Sequence, residues 1–454
     1  MKNKSYFGLR CLIVFVLSME LAACVPSQIA TESPTAIVNR AVTIVPTASD
    51  TPAEVVAPSE MIVPADSSCA QVTDIPQTEC AALVALYNNT DGPNWADNTN
   101  WLKTDNPCDW FGVQCSDEHV TVLILRENLL AGAIPPEIGN LSKLTSLYLE
   151  VNQLTSLPPE IGNLSKLTQL ALDVNQLTIL PPEIGDLSNL TWLQIGGNQL
   201  TALPPEIGKL SYLTNLYLGD NQLTSLPPEI GNLTNVYHLY IYYNQLTSLP
   251  SEIGELSNLI ELRLEGNQLT GLPPEIGNWS KLTSLDLSEN QLTSLPPEIG
   301  NWSNLTDLRL GDNQLTSLPP EIGNWSNLTY LELYSNRLTS LPPEIGNWSD
   351  LTELTLESNQ LTALPPEIGK WSQLTRLALS GNELTSLPPE IGNWSNLIEL
   401  HIVDNPFAGT VPPSITNLDR LTYLILSPCS GLTSSDPQVI AFLDARSPSW
   451  NQCP

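Results

Sequence analysis

Side chains capable of acid–base catalysis or metal binding are few in this chain of 454 residues, and their spacing does not assemble a site. The three histidines are His119, His238 and His401. They are too scattered to form a zinc cluster, and the sequence has no phosphate-binding loop, nucleophile elbow or H-E-x-x-H motif. We therefore expect that the protein is not an enzyme and that it uses no cofactor and no metal.

Pairs of carboxylates can hydrolyse glycosidic bonds, and Glu261, Asp286 and Asp307 are candidates for this chemistry. They stand in strand positions of successive units of a sequence repeat, and the pattern predicts no pocket around them. A solvated acidic face therefore explains these residues better than catalysis does.

Aromatic side chains indicate a different chemistry, which is binding, because Tyr and Trp combine a large contact area with a polar tip. The candidate ligand-binding residues are Trp192, Tyr217, Tyr237, His238, Tyr240, Tyr242, Tyr243 and Arg263, with a smaller pair at Tyr330 and Tyr334. We predict that the segment from Trp192 to Arg263 is the binding hot spot. The alternative is that tyrosine simply stacks well across neighbouring parallel strands.

A repeat with the skeleton L-x-x-L-x-L-x-x-N-x-L must position these side chains. It resembles the leucine-rich repeat and recurs in about fourteen units over residues 120–434, with a period of 23 residues in most of them. The resemblance implies an α/β solenoid, a horseshoe with a parallel sheet of short strands on the concave face. We expect an irregular or 3-10 convex side, helical caps at both ends, and a tight bend at Gly162.

Six successive units carry tryptophan where earlier units carry leucine. These residues are Trp279, Trp302, Trp325, Trp348, Trp371 and Trp394. A row of indoles can stack a ligand, but this row occupies a column of core leucines, so we predict that it packs inside the solenoid.

The chain is strongly acidic, with 17 Lys and Arg against 48 Asp and Glu, which gives a formal net charge of −31. Such a surface repels phosphates and anionic lipids, so we expect no nucleic acid partner and no direct contact with the membrane surface. One column of twelve glutamates, from Glu137 to Glu390, belongs to the P-P-E-I-G element of the repeat. We interpret it as a solvated stripe, with divalent cation binding as the weaker alternative.

The N-terminus has the features of an export signal. Residues Lys2, Lys4 and Arg10 precede a short apolar run, and Leu21-Ala22-Ala23-Cys24 resembles the bacterial lipobox. The resemblance implies a signal peptide over 1–23 and a lipid on Cys24, which would anchor the protein outside the cytoplasm at a bacterial membrane or cell surface. An ordinary cleaved signal or a buried cysteine are the alternatives. Residues 24–68, rich in Pro, Thr and Ser, are predicted to form a disordered tether.

Six further cysteines favour disulfides, because their number is even and the protein is predicted to be exported. Fifteen pairings are possible for six cysteines. Proximity in the sequence suggests Cys69–Cys80, Cys108–Cys115 and Cys429–Cys453.

Both ends of the repeat array are predicted to be capped. Residues 69–119 form an N-terminal disulfide cap, and the stretch from Cys108 to Cys115 resembles the cap of plant-type leucine-rich repeat receptors. We predict a helix over 78–89 with Thr78 as its N-cap, and a second helix in the C-terminal cap 435–454 that begins at Asp436-Pro437 and runs to Arg446.

The chain as a whole resembles bacterial surface leucine-rich repeat proteins. We predict a cell-surface module that binds a protein or peptide ligand on the concave face, with membrane contact through the N-terminal lipid alone. A glycan or cell-wall adhesion module would use the same aromatic residues. A structural role through self-association of the solenoid is the other alternative.

Overall fold

The structure is a computed structural model, and it describes residues 69–426 and 431–450. The predicted signal peptide, the lipidation site Cys24 and the tether lie outside the described residues, as do Cys429 and Cys453. In the described part of the chain, no helix is long and apolar enough to cross a membrane.

Short strands and 3-10 helices alternate along most of the described chain. The strands are β1 (Val113–Ser116), β2 (His119–Ile124), β3 (Ala131–Ala133), β4 (Ser146–Tyr148), β5 (Gln153–Ser156), β6 (Gln169–Ala171), β7 (Trp192–Gln194), β8 (Asn215–Tyr217), β9 (His238–Tyr240), β10 (Glu261–Arg263), β11 (Ser284–Asp286), β12 (Asp307–Arg309), β13 (Tyr330–Glu332), β14 (Glu353–Thr355), β15 (Arg376–Ala378), β16 (Glu399–His401), β17 (Gly409–Thr410), β18 (Tyr423–Ile425) and β19 (Leu432–Thr433). The 3-10 helices are Gly92–Asn94, Pro107–Asp109, Pro136–Asn140, Pro159–Asn163, Pro182–Asp186, Pro205–Lys209, Pro228–Asn232, Ser251–Glu255, Pro274–Asn278, Pro297–Asn301, Pro320–Asn324, Pro343–Asn347, Pro366–Lys370, Pro389–Asn393 and Pro413–Asn417. The two α-helices are α1 (Gln77–Asn89) and α2 (Pro437–Arg446).

Fifteen of these strands form one sheet, in the order β1-β2-β4, then β6 to β16 in sequence, then β18. Strands β1 and β2 are antiparallel and the remaining neighbours are parallel. The parallel register aligns equivalent positions, so that His238 faces Glu261 and Glu261 faces Ser284. The predicted solenoid with its parallel sheet and 3-10 side is confirmed.

A column of buried asparagines joins neighbouring units through the backbone. Asn313 donates from Nδ2 to the carbonyl oxygens of Leu287 at 2.9 Å and Leu310 at 3.2 Å, and its Oδ1 accepts from Leu292 N at 2.9 Å. The same pattern recurs at Asn290 and Asn336. Each amide satisfies carbonyl groups that the three-residue strands leave without a ladder partner.

The six tryptophans lie inside the solenoid, each at most 1% exposed, so the prediction that they pack in the core is confirmed. Their rings form a parallel stack with centroid separations of 6.3 to 6.4 Å. Each indole Nε1 also donates to an isoleucine carbonyl of the preceding unit, as Trp279 does to Ile253 at 3.0 Å and Trp394 to Ile368 at 2.8 Å.

Gly162 has a different role from the predicted one. Its φ angle is not positive, so the backbone there requires no glycine for a bend. A Cβ atom at this position would instead lie 2.7 Å from the carbonyl oxygen of Glu183 in the next unit. Glycine is needed because adjacent 3-10 helices approach each other closely.

The N-terminal cap covers the first open edge of the repeats with α1 and a cluster of aromatic rings. The prediction that Thr78 is the N-cap is wrong, because α1 begins at Gln77 and Pro76 occupies the cap position. The φ of Pro76 is −55°, and its carbonyl accepts from the backbone N–H of Glu79 and Cys80, so the N-cap lies two residues earlier than predicted. Disulfides Cys69–Cys80 and Cys108–Cys115 are both present in this cap.

The C-terminal helix agrees with its prediction. Asp436 is the N-cap of α2 and accepts a hydrogen bond from Gln438 N at 2.8 Å. Val439 and Leu443 on its inner face are buried. The Arg446 side chain at its end donates to the carbonyl of Leu421 at 2.8 Å.

Candidate ligand-binding face

The central strands present alternate side chains to solvent because each has the pattern x-L-x. In β8 and β9 the middle residues Leu216 and Leu239 are fully buried, so the residues on either side point outward. The parallel register then places Tyr217 beside Tyr240 and Tyr240 beside Arg263. Positions spaced by 23 residues in the sequence thus form continuous lines across the sheet.

Three of the predicted residues form a continuous row of rings, which we call the aromatic strip: Trp192, Tyr217 and Tyr240. The ring centroids of Trp192 and Tyr217 are 6.3 Å apart and those of Tyr217 and Tyr240 are 4.7 Å apart. All three side chains are half-buried on the concave face. The strip therefore offers a preformed apolar surface with hydroxyl groups at its margin.

Tyr240 is held at the end of the strip by two charged neighbours. Its hydroxyl donates to Glu261 Oε2 at 2.8 Å, and Arg263 lies 5.1 Å over its ring. Arg263 Nε in turn binds the other oxygen of Glu261 at 3.0 Å. Burial, and then the hydrogen bond to Glu261, raises the pKa of Tyr240, so this phenol remains a donor at neutral pH.

His238 lies beside this group without forming a hydrogen bond to it. Its Nδ1 is 3.6 Å from Glu261 Oε2, and its ring centroid is 6.4 Å from that of Tyr240. The structure thus brings Trp192, Tyr217, His238, Tyr240 and Arg263 together as one surface.

The other predicted tyrosines of this region lie outside the aromatic strip. Tyr237 directly precedes β9 and is 37% exposed at the N-terminal end of that strand. Tyr242 and Tyr243 follow β9, and their rings meet at 5.8 Å in an edge-to-face contact. The ring of Tyr242 lies over the backbone of Gly219 in the preceding unit.

Tyr330 and Tyr334 form a separate group several strands away, on and after β13. The Tyr330 hydroxyl donates to Glu332 Oε2 at 2.7 Å, and Arg309 lies 5.3 Å from its ring. Tyr334 covers Gly311 in the same way that Tyr242 covers Gly219. This group repeats the arrangement around Tyr240 on a smaller scale.

Sequence reasoning missed Tyr148 and two amides as parts of this surface. The Tyr148 ring lies 6.4 Å from that of Trp192, two strands away, because Ala171 between them is small and buried. The Tyr148 hydroxyl donates to Gln169 Oε1, and Asn215 Nδ2 donates to the Tyr217 hydroxyl at 2.9 Å. Tyr148 occupies the same repeat position as Tyr240, which was the available signal.

Two carboxylates beside the strip are partly withdrawn from water. Asp173 Oδ1 accepts from Gly196 N at 2.7 Å, and burial raises the pKa of Asp173 to about 7. Burial, with repulsion from Asp286, likewise raises the pKa of Glu265 to about 7. These groups change charge near neutral pH, which is unusual for a surface carboxylate.

The acidic residues considered for catalysis are engaged with arginines. Arg309 lies 3.2 Å from Asp307 and 4.0 Å from Asp286, while Glu261 binds Arg263 and Tyr240. Within residues 69–426 and 431–450, no three His, Cys, Asp or Glu residues are grouped so that they could hold a metal ion. The arrangement fits recognition by contact and charge.

Comparisons with known proteins agree with this architecture. A family model described as a leucine-rich repeat region matches residues 180–265 and 317–424, and a leucine rich repeat model matches 142–200. A solved leucine-rich repeat protein from Leptospira interrogans is 39% identical, with a TM-score of 0.60, over 65% of this chain and 75% of that one. The chain belongs to the leucine-rich repeat family.

Plant receptors are also similar to this leucine-rich repeat protein. The repeat ectodomain of the Arabidopsis receptor kinase HAESA, solved in complex with an extended IDA peptide hormone, is 27% identical with a TM-score of 0.59. That match covers 78% of this chain and 66% of the HAESA chain. Receptor-like kinase TMK4 of Arabidopsis thaliana is 35% identical over 74 residues, which are 16% of this chain and 8% of that kinase. The chain thus matches about a tenth of the length of its curated relatives.

Repeat domains of this family are typically binding modules without enzymatic activity, and ectodomains similar to this one bind peptide or protein ligands. The disulfides and the ectodomain-like fold together indicate an extracellular protein.

Proposed function

We propose that this protein binds a protein or peptide ligand on its concave face, with the aromatic strip as the energetic centre. The observation that carries the proposal is the row formed by Trp192, Tyr217 and Tyr240. The sheet register pairs Tyr217 with Tyr240 and places Trp192 diagonally to Tyr217 on the neighbouring strand. Half-buried aromatic rings held in place lose little side-chain entropy on binding. The similar HAESA ectodomain was solved in complex with a peptide hormone, which supports a peptide as the class of ligand.

The orientation of the rings favours a peptide over a flat sugar ring. Trp192 meets Tyr217 at an interplanar angle of 82°, and Tyr148 meets Trp192 at 61°. The Tyr217–Tyr240 pair is tilted at 42°. Rings at these different angles form an uneven surface with grooves that accept side chains, whereas stacking of a pyranose needs an open ring face. Glycan adhesion is therefore the second candidate, and binding to a glycan array distinguishes it from peptide binding.

We also propose that a lipid anchors the protein outside the cytoplasm at a membrane. Cys24, in Leu21-Ala22-Ala23-Cys24, would carry a lipid after removal of residues 1–23, and residues 24–68 would serve as the tether. Metabolic labelling with a palmitate analogue tests this directly. Labelling of the wild type and its loss in Cys24→Ala are expected, and equal labelling of both proteins would contradict the lipid anchor.

The binding proposal is tested by comparing three forms of the full chain as bait for surface extracts and on a glycan array. The double variant Tyr240→Ala with Tyr242→Ala removes the centre of the face. Tyr212→Ala is the matched control, because Tyr212 is 62% exposed and lies outside the strands. We expect the wild type and the control to retain one protein partner that the double variant loses, with unchanged circular dichroism in all three.

Two results would contradict this function. Retention of the same partner by the folded double variant would remove the aromatic strip from the binding site. Saturable binding to glycans, with no protein partner retained, would replace the peptide ligand by a sugar.

A further inference from the structure

The arginines of the concave face are all neutralised by neighbouring carboxylates in the described structure. Arg263 binds Glu261, and Arg309 binds Asp307. Arg376 lies 3.4 Å from a carboxylate oxygen of Glu399 on the next strand and 3.9 Å from one of Glu353 on the preceding strand. An anionic ligand would have to displace these carboxylates before it met a cation.

The residues just beyond the strands add further negative charge beside the aromatic strip. They occupy the two positions that follow the third leucine of each unit, and we call the acidic members the acidic edge. From residue 150 onward these are Glu150, Asp173, Asp220, Glu265, Glu289, Asp312, Glu357 and Asp404. From 150 to 404 these two positions contain no lysine and no arginine. The acidic edge therefore attracts cations and repels anions along its length.

Tyr242 connects the acidic edge to the aromatic strip. Tyr240 ends β9 and Tyr242 follows it two residues later, with the buried Ile241 between them, so neither tyrosine side chain enters the core. Asp220 directly follows Gly219, over which the Tyr242 ring lies, and Glu265 occupies the position equivalent to Tyr242 in the next unit. Burial, and then the charge of these carboxylates, raises the pKa of Tyr242.

The backbone of Gly219 supports one face of the Tyr242 ring. It lies over Gly219, where a Cβ atom would collide with the ring. A ring held flat on the backbone with Asp220 and Glu265 beside it combines the two attractions that a lysine or arginine side chain exploits, which are the π face and the negative charge.

We propose that the ligand is a basic, extended peptide segment, which places an apolar or aromatic side chain on the aromatic strip and a Lys or Arg side chain over Tyr242. This inference rests on the proposed function and specifies the chemistry of the partner. Asp220 and Glu265 attract the basic head group, which displaces the proton that Glu265 holds near neutral pH. The neutralised arginines of the strands leave an anionic peptide without a site. The net charge of −31 steers a basic partner toward the protein from a distance.

The probe is a random library of displayed 12-residue peptides, selected on the immobilised full chain at low salt and eluted in steps of rising salt. We expect enriched peptides to combine Lys or Arg with a large apolar residue. Replacing their Lys and Arg by Gln should weaken binding at least about tenfold, as should raising the salt to screen the acidic edge.

Site-directed variants locate the contact. Asp220→Asn with Glu265→Gln removes the charge, and Gly219→Ala displaces the Tyr242 ring, so each should weaken the enriched basic peptides about tenfold. Glu321→Gln, on the 3-10 helix Pro320–Asn324, and Gly271→Ala, where a Cβ atom meets nothing within 4 Å, are the matched controls and should bind normally.

Each outcome separates this inference from the proposed function. Enrichment of neutral or acidic peptides that Tyr240→Ala no longer binds would overturn the basic ligand and retain peptide binding on the strip. Basic peptides that bind the Asp220 and Glu265 variant as well as the wild type would overturn the Tyr242 site. A library without any enrichment would contradict both the inference and the proposed function.

Discussion

The indole nitrogen of Trp325 donates a 2.9 Å hydrogen bond to the carbonyl oxygen of Ile299, which lies in the preceding unit of the solenoid. The same ring is stacked between Trp302 at 6.3 Å and Trp348 at 6.4 Å. One side chain thus joins three consecutive units by packing and by a buried polar bond. Earlier units have leucine in this column, which packs in the core but has a smaller side chain and no hydrogen-bond donor.

Replacement of Trp325 by leucine should therefore destabilise the solenoid although leucine is the native residue elsewhere in the column. The smaller side chain leaves a cavity and removes the bond to Ile299, and we expect a loss of about 3 kcal/mol in the free energy of unfolding. Trp325→Phe keeps a ring but no donor and should lose less. Urea unfolding followed by circular dichroism measures both, and wild-type stability of Trp325→Leu would refute the structural role of the stack.

Truncation of a buried asparagine in the repeat should lower the free energy of unfolding more than truncation of an exposed asparagine. Asn313→Ala leaves the carbonyls of Leu287 and Leu310 and the N–H of Leu292 without their side-chain partner inside the protein. At about 1–3 kcal/mol for each unsatisfied buried group, partial relaxation still leaves a loss of several kcal/mol.

Asn304→Ala is the matched control for Asn313→Ala, because Asn304 is exposed and makes a single 2.7 Å bond to the carbonyl of Ser280. We expect a loss of less than about 1 kcal/mol there, since water replaces the lost donor. Thermal unfolding of both variants tests the difference, which equal melting temperatures would contradict.

The glycines of the chain should fall into two classes when changed to alanine. At Gly300 a Cβ atom would lie 2.8 Å from Cβ of Glu321 and 3.0 Å from Asn324 Nδ2, so the 3-10 helices must move apart. We expect Gly300→Ala to cost about 1–3 kcal/mol, the range for overpacking.

Gly271→Ala should be neutral or slightly stabilising, because its Cβ would meet nothing within 4 Å and its φ is not positive. The alanine also restricts the unfolded chain, which is worth up to about 1 kcal/mol. Comparison of the urea unfolding midpoints of Gly300→Ala and Gly271→Ala tests this difference. A similar loss of stability in both variants would show that close packing at Gly300 does not cause its sensitivity.

Asp173 should make the protein less stable as the pH rises. Because burial raises its pKa to about 7, the folded protein keeps a proton that the unfolded chain loses above about pH 4, so folding stability falls between these two values. Asp173→Asn removes this dependence and can still accept from Gly196 N.

We expect Asp173→Asn to match the wild type at pH 4 and to exceed it by about 4 kcal/mol at pH 8. Urea unfolding at a series of pH values provides the measurement, with Asp350→Asn as an exposed control. A constant difference between Asp173→Asn and the wild type at all pH values would mean that the carboxyl is not protonated in the folded protein.

Much of the architecture could be predicted from the sequence because the repeat period is strict. The inward leucines, the turning asparagines and the burial of the tryptophan column all follow from which positions recur, since each unit must bury the same face against its neighbours. The N-cap of α1 could not be predicted in the same way. The fixed φ of Pro76 and the bonds of Gln77 to the carbonyls of Cys69 and Val72 decide where that helix begins.

The candidate binding residues were predicted only in part, for a related reason. The period identifies Trp192, Tyr217 and Tyr240 as outward positions, but it does not show that the Tyr242 ring lies over Gly219 beyond the strand. Tyr148 reaches the ring of Trp192 because Ala171, on the strand between them, has a small side chain that leaves room for the contact. The repeat pattern alone does not indicate that such room exists.

The sequence by itself determined which side chains point outward, since a strand alternates its faces and a fixed period aligns equivalent positions. Only the tertiary structure decided which of these side chains meet. The pairing of Tyr240 with Glu261 and the burial of Asp173 depend on rotamers and on neighbours one or two units away. Contacts between units depend on the sizes of several neighbouring side chains at once. A repeat pattern describes each position separately, so it does not predict these contacts.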